Sequence, residues 1–214
     1  MRPIDPEDFA SGVAWWRTRR WPWDFHNRDY RQMAAENPDG RFDAAWWATV
    51  QPRLTAWKAL RPVPSHVVAA AVATNAAELA RTWASSCRPY QDTDIADPAV
   101  TWEAVRAFPD MVSHLKPTKT GSPVFPSKLC HFLLPKIFPV VDQLALGGQH
   151  LSYSSYFELV KGTWQATAAG TRQRLTEEIE RLIRERPNSA LYDGYPIVNK
   201  VVELAFIGRQ HPRR

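Results

Sequence analysis

Lys128 and Asp142 are the two residues of this chain whose types and spacing could together do chemistry. The segment around them, Lys116 to Gly148, reads KPTKTGSPVFPSKLCHFLLPKIFPVVDQLALGG. It is a Gly/Pro-rich turn, a short helix, an extended apolar run over Ile137 to Val141, and then a carboxylate. The helix is expected to begin at Lys128, and Asp142 stands where a side-chain oxygen would cap a further short helix. Lysine attacks as a nucleophile only when it is partly deprotonated, a state favoured by burial and by the positive end of a helix dipole. A carboxylate facing it, in a site that excludes water, would stabilise positive charge developing on a substrate. Taken singly, the two residues read more readily as a solvated lysine and an ordinary cap. Their joint placement on either side of an apolar run is what points to a site.

The elements that must position this pair read as helices throughout. Asp5 followed by Pro6, Glu7 and Asp8 is a strong start for a helix reaching about Arg17. The segment WPWDFHN is irregular, Arg28 to Glu36 is helical, and Asn37-Pro38-Asp39-Gly40 is a turn. Phe42, Ala45, Trp46 and Val50 follow helical spacing, with Pro52 expected to kink or split that helix. Pro64-Ser65 opens a long helix whose stripe is Val68, Val72, Ala76, Leu79 and Trp83. Asp97-Pro98 is expected to cap the next piece, broken again near Pro109. Further helices are predicted from Ser152 to Ala169 and around Leu175, Ile179, Leu182 and Ile183. The second of these carries Glu177/Arg181 and Glu180/Arg184 pairs and ends at Pro187. The last helix, Pro196 to Ile207, is apolar on several sides and so belongs at the centre of the core.

No stretch alternates as a strand must, so the fold class is all-α. About eight to ten short helices interrupted by prolines suit an orthogonal multi-helix bundle better than long up-and-down helices. A chain of 214 residues with 44% hydrophobic content is expected to form a single α-helical domain over residues 1–214, with room for two lobes. It carries ten tryptophans. The adjacent pairs Trp15/Trp16 and Trp46/Trp47 cannot both face one core from a helix, so some indoles should line a cleft or seam.

The net charge of +5 and isoelectric point near 9.4 permit an anionic partner. The basic residues fall near the N-terminus (Arg17, Arg19, Arg20), around the Lys128 segment (Lys116, Lys119, Lys136) and at the C-terminus (Arg209, Arg213, Arg214). They form one basic face if folding gathers them, and solvated charges if it does not. Cys87 and Cys130 have neither zinc-ligand spacing nor a disulfide framework. Asp92, Asp94 and Glu103 match part of a calcium loop, but Ala96 and Asp97 stand where a ligand and a glycine are needed. His131 reads as a packed residue beside Phe132 and Leu133. No cofactor or metal is implied, no apolar stretch could span a bilayer, and a soluble, cytoplasmic protein is expected.

Gly121-Ser-Pro-Val-Phe-Pro-Ser127-Lys128, then Leu-Cys-His-Phe-Leu-Leu and Phe138-Pro-Val-Val-Asp142, resembles the lysine and aspartate core of helix-hairpin-helix DNA glycosylases. The resemblance covers about residues 117–148 and implies an all-α glycosylase-like fold with double-stranded DNA as partner. It implies Lys128 as the nucleophile at the deoxyribose C1′, and Asp142 as the group that stabilises the developing charge or assists deprotonation. The hairpin would bind phosphates, with Lys119, Gly121, Ser122 and Ser127 as the DNA-binding residues. The implied activity is excision of a modified or mispaired base flipped out of the duplex, with abasic-site lyase chemistry through a lysine Schiff base. The alternative is a non-catalytic helical module that binds DNA or a protein on the same scaffold. This sequence lacks the hairpin's usual second glycine, having Pro123, Phe125 and Pro126 there. Its Lys128 to Asp142 interval is shorter than the family's by about one helical turn. Pro135 must therefore end the Lys128 helix early if the two side chains are to meet.

Overall fold

The computed structural model describes residues 1–19, 21–37, 40–116, 121–142, 145–185 and 190–212. Among them there is no strand. Ten α-helices run in the order α1 (Pro6–Arg17), α2 (Asn27–Glu36), α3 (Ala44–Ala56), α4 (Ser65–Ser86), α5 (Trp102–Val105), α6 (Ala107–His114), α7 (Val124–Leu133), α8 (Tyr153–Ala166), α9 (Ala169–Arg184) and α10 (Ile197–Gln210). The chain is all-α, and apolar side chains from all ten helices meet in one contiguous core.

Local chemistry sets the starts of several helices. The Asp5 carboxylate accepts from the Glu7 N–H at 2.9 Å at the head of α1, with Pro6 as first residue. Asp43 accepts from the Trp46 N–H at 2.9 Å before α3, and Ser152 accepts from the Ser155 N–H at 3.1 Å before α8. Two expectations are corrected and one is met. Pro52 does not split α3: it lies on an exposed face, and the carbonyl it leaves unbonded, on exposed Ala48, is open to water. Asp97-Pro98 forms a turn, and the helix starts later, capped by Thr101, whose hydroxyl accepts from the Ala104 N–H at 3.2 Å. The break expected near Pro109 is present: α5 ends at Val105, whose carbonyl Pro109 cannot bond, and α6 begins after Arg106 with Pro109 in its first turn.

The tryptophan expectation is half right. Trp46 and Trp47 are both buried, because α3 is enclosed by α2 on one side and α4 on another. Trp15 and Trp16 do diverge: Trp15 stacks on His211 near the surface, and Trp16 turns inward. On α9, Arg184 pairs with Glu180 at 3.1 Å as expected. Arg181, however, pairs with Glu178 and Glu185, while Glu177 accepts from Gln173 instead. The Pro187 stop lies outside the described residues.

Helix α10 is buried along most of its length, and α1 lies directly against it. Their backbones touch through two glycines. A Cβ on Gly12 would sit 1.9 Å from the Leu204 carbonyl oxygen, and one on Gly208 would sit 1.7 Å from that of Asp8. This contact carries Trp16, at the end of α1, to the polar side chains of α10. Helix α7 begins at Val124, with Pro126 tolerated in its first turn, and stops at Leu133, two residues before Pro135.

Candidate functional site

Early termination of α7 lets the chain return along its own start. The Ser127 hydroxyl is wholly buried; it donates to the Val124 carbonyl at 3.1 Å and accepts from the Val141 N–H at 3.1 Å. One side chain therefore ties the beginning of α7 to the residue preceding Asp142. As a result Lys128 and Asp142 line the same cleft, of about 400 Å³, with Trp16, Trp21, Trp57, His26, Asp29, Lys58, Lys200 and Glu203.

Lys128 is the fifth residue of α7, one turn further along than expected. The positive end of the helix dipole is therefore not what tunes it. Burial is the main cause lowering its pKa, helped by the positive charges of Lys58 and Lys116 and opposed by Asp142 and Glu203. Its Nζ donates to the Trp57 carbonyl, at the C-terminal end of α3, at 2.5 Å. The short helix expected after Asp142 falls partly on residues 143 and 144, outside those described. Next to them a single helical turn closes from the Leu146 N–H to the Asp142 carbonyl at 3.1 Å.

The opposite wall comes from residues that sequence reasoning missed. His26 Nδ1 lies 2.8 Å from Asp29 Oδ2, and its ring packs on Trp57 at 4.9 Å and edge-on to Trp16 at 5.4 Å between centroids. Burial holds His26 below its usual pKa against the pull of Asp29, and the hydrogen bond from His26 holds Asp29 below the usual carboxylate range. The pair is thus a neutral imidazole donating to an ionised carboxylate. Phe25, His26 and Lys58 have φ of 51°, 67° and 57°, the only positive values among described residues other than glycine. Two of the three line the cleft and the third precedes His26, each at a cost of about 1–2 kcal/mol. From α10, Lys200 is only 3% exposed; its Nζ lies 2.6 Å from Glu203 Oε2 and 4.8 Å from the Trp16 ring centre.

Behind this wall, His131 is packed as expected, and its two ring nitrogens join three elements. Nδ1 lies 2.6 Å from the Phe138 carbonyl, which can only accept, so Nδ1 carries the proton and Nε2 accepts from the Tyr30 hydroxyl at 2.7 Å. Burial lowers its pKa to about 3, so it stays neutral. This bridge locks α2, which carries Asp29, to α7, which carries Lys128.

The remaining sequence-predicted residues are not gathered here. Gly121 is exposed with φ of 56° and, with Ser122, lines a separate groove of about 770 Å³ beside Trp102, His150 and Tyr153. Lys119 lies outside the described residues. Ser127 is an internal tie and does not reach the surface that a phosphate would touch. Lys116 is buried, donating to the carbonyls of Ala59 at 2.7 Å and Arg61 at 2.6 Å. Arg209 pairs with Asp8 at 2.9 Å. The basic residues described therefore do not make one continuous face. Among the described residues no three His, Cys, Asp or Glu side chains cluster as metal ligands do, and no helix is long and apolar enough to cross a membrane.

The missed residues had a signal of their own. His26 and Asp29 stand three apart just after an irregular aromatic stretch, and Lys200 and Glu203 stand three apart in an otherwise apolar helix. No protein-family model, curated protein or solved structure matches this chain.

Proposed function

We propose that this protein is a DNA glycosylase with abasic-site lyase chemistry, acting on a modified or mispaired base through Lys128 and Asp142. The observation that supports the reading is the convergence of a desolvated lysine and a carboxylate on one cleft walled by three indoles. Its volume of about 400 Å³ falls within the range of small-ligand pockets, about 300–1000 Å³. Trp16, Trp21 and Trp57 supply flat faces on which an extruded base would stack. The helix-loop-helix of α6 and α7, with left-handed Gly121 in its loop, is the element that would approach the DNA backbone.

In this mechanism burial lowers the pKa of Lys128 and so favours its free amine, which donates one N–H to the Trp57 carbonyl and keeps its lone pair for C1′. The N–C1′ bond forms as the bond from C1′ to the base breaks, with the electron pair leaving on the base. Positive charge builds on the sugar during this exchange, and the Asp142 carboxylate stabilises it more strongly in a dry cleft than it would in water.

The test is release of free base from a panel of duplexes carrying deaminated, oxidised, alkylated or mispaired bases. The wild type should release at least one of them, and Lys128→Ala and Asp142→Asn should release it at least about 100-fold more slowly. Salt-dependent duplex binding that survives both substitutions, with no base released by the wild type, would instead favour the non-catalytic module.

A further inference from the structure

We infer that His26 is a second catalytic residue of this cleft, a general base that takes the proton lost by the Lys128 amine as it bonds to C1′. Asp29 is its positioning residue, and the inference rests on the glycosylase reading above. Four observations converge on His26.

The imidazole lines the same cleft as Lys128 and Asp142. Its Nδ1 is committed to Asp29 at 2.8 Å, which fixes the tautomer and leaves Nε2 as the acceptor; no described residue bonds that nitrogen. Trp57, tilted at 53° to the ring, and Trp16, perpendicular to it at 87°, pack against the imidazole, so its orientation is set before any substrate arrives. Finally, the backbone reaches this position through consecutive left-handed residues, Phe25 and His26.

A structural role does not explain that geometry. His26 makes no side-chain cap to α2; the cap is supplied by Asp24, whose carboxylate accepts from the Arg28 N–H at 3.1 Å. Glycine or asparagine would hold the same turn with less strain. What the imidazole adds is a base, paired with a carboxylate, in the cleft that Lys128 also lines. The charged groups around it are Asp29 from α2, Lys58 after α3, Lys128 from α7, Asp142, and Lys200 and Glu203 from α10. Lys200 favours the neutral imidazole, while Asp29 and Glu203 oppose it.

The step balances without a further reagent. When the Nζ lone pair forms the bond to C1′, the nitrogen becomes a secondary ammonium with one proton to lose. Nε2 of His26 takes that proton, and Asp29 stabilises the imidazolium. The proton then passes to the sugar oxygen departing from C1′, while the nitrogen lone pair forms the protonated imine, which keeps the second amine proton.

Single-turnover trapping with cyanoborohydride on a duplex containing an abasic site, from about pH 5 to pH 9, tests this. His26→Asn keeps a residue tolerant of the left-handed turn and removes the base. It should trap about 100-fold more slowly than wild type and lose the steep acid limb, where two groups must shed protons instead of one. Asp29→Asn should move that limb to lower pH, since the carboxylate raises the His26 pKa. If His26→Asn does not fold, the Asp29→Asn profile decides. A wild-type rate and profile in either variant would overturn the role of His26 and leave that of Lys128 standing. No adduct with wild-type protein would overturn both.

Discussion

Substituting Ser127 by alanine removes a hydroxyl and nothing else from the start of α7, and the consequence can be worked out from its two bonds. The Val141 N–H, bonded at 3.1 Å to that hydroxyl, is left without its partner in a buried site. An unmade bond of this kind costs about 1–3 kcal/mol. Alanine's higher helix propensity offsets about 0.5 kcal/mol, so the net loss is about 0.5–2.5 kcal/mol. For a chain of this size each kcal/mol moves Tm by about 2–4 °C, so the variant should melt about 1–10 °C lower. Thermal melts followed by circular dichroism measure this, with Ser85→Ala as control, because exposed Ser85 bonds only the Thr82 carbonyl and should change little. Base release or abasic-site trapping by Ser127→Ala should fall further than the loss of folded protein explains, because Asp142 is the next residue and small misplacements are costly. A variant that melts at or above wild type, with unchanged activity, would refute the claim that this hydroxyl holds the Asp142 segment.

Gly208→Ala should be among the most damaging small substitutions, at about 3 kcal/mol or more in denaturant unfolding, because its Cβ would meet the Asp8 carbonyl oxygen at 1.7 Å. Lys128→Met should change the pH dependence of stability. The folded pKa of Lys128 lies below its unfolded value of 10.5, so the unfolded state binds more protons and wild-type stability rises with pH up to about 10.5. The methionine variant should show a shallower rise, seen in unfolding curves at neutral and alkaline pH. His131 works at the other end of the scale. It stays neutral in the fold down to about pH 3 but is protonated in the unfolded chain below 6.5, so it removes stability as pH falls through that window. Below 6.5 the wild type should therefore lose stability more steeply than His131→Gln, by about 1.4 kcal/mol per pH unit.

Much of the helical order was legible from caps and periodicity. Asp5 with Pro6 and Ser152 marked helix starts, and the stripe on α4 and the apolar length of α10 marked buried faces. Prolines misled where position decides their effect: Pro126 occupies a first turn and Pro52 an exposed face, so neither breaks its helix. The same reason shifted Lys128, since a helix that accepts Pro126 can begin at Val124. Half of the candidate site was readable because Lys128 and Asp142 share one local segment. The other half was not, since His26, just before α2, Asp29 on α2, and Lys200 and Glu203 on α10 reach the cleft through long-range contacts. These are the glycine seam of α1 with α10 and the Tyr30–His131 bridge. Neither contact has a local pattern to announce it.

The most direct test of the account is reductive trapping of the wild-type protein on a duplex bearing an abasic site, followed by peptide mass mapping of the adduct. The account predicts one crosslinked peptide, modified at Lys128, whose yield falls away as pH drops and the amine is protonated. An adduct on any other lysine or on the N-terminal amine, or no adduct under conditions where the duplex is bound, would contradict it.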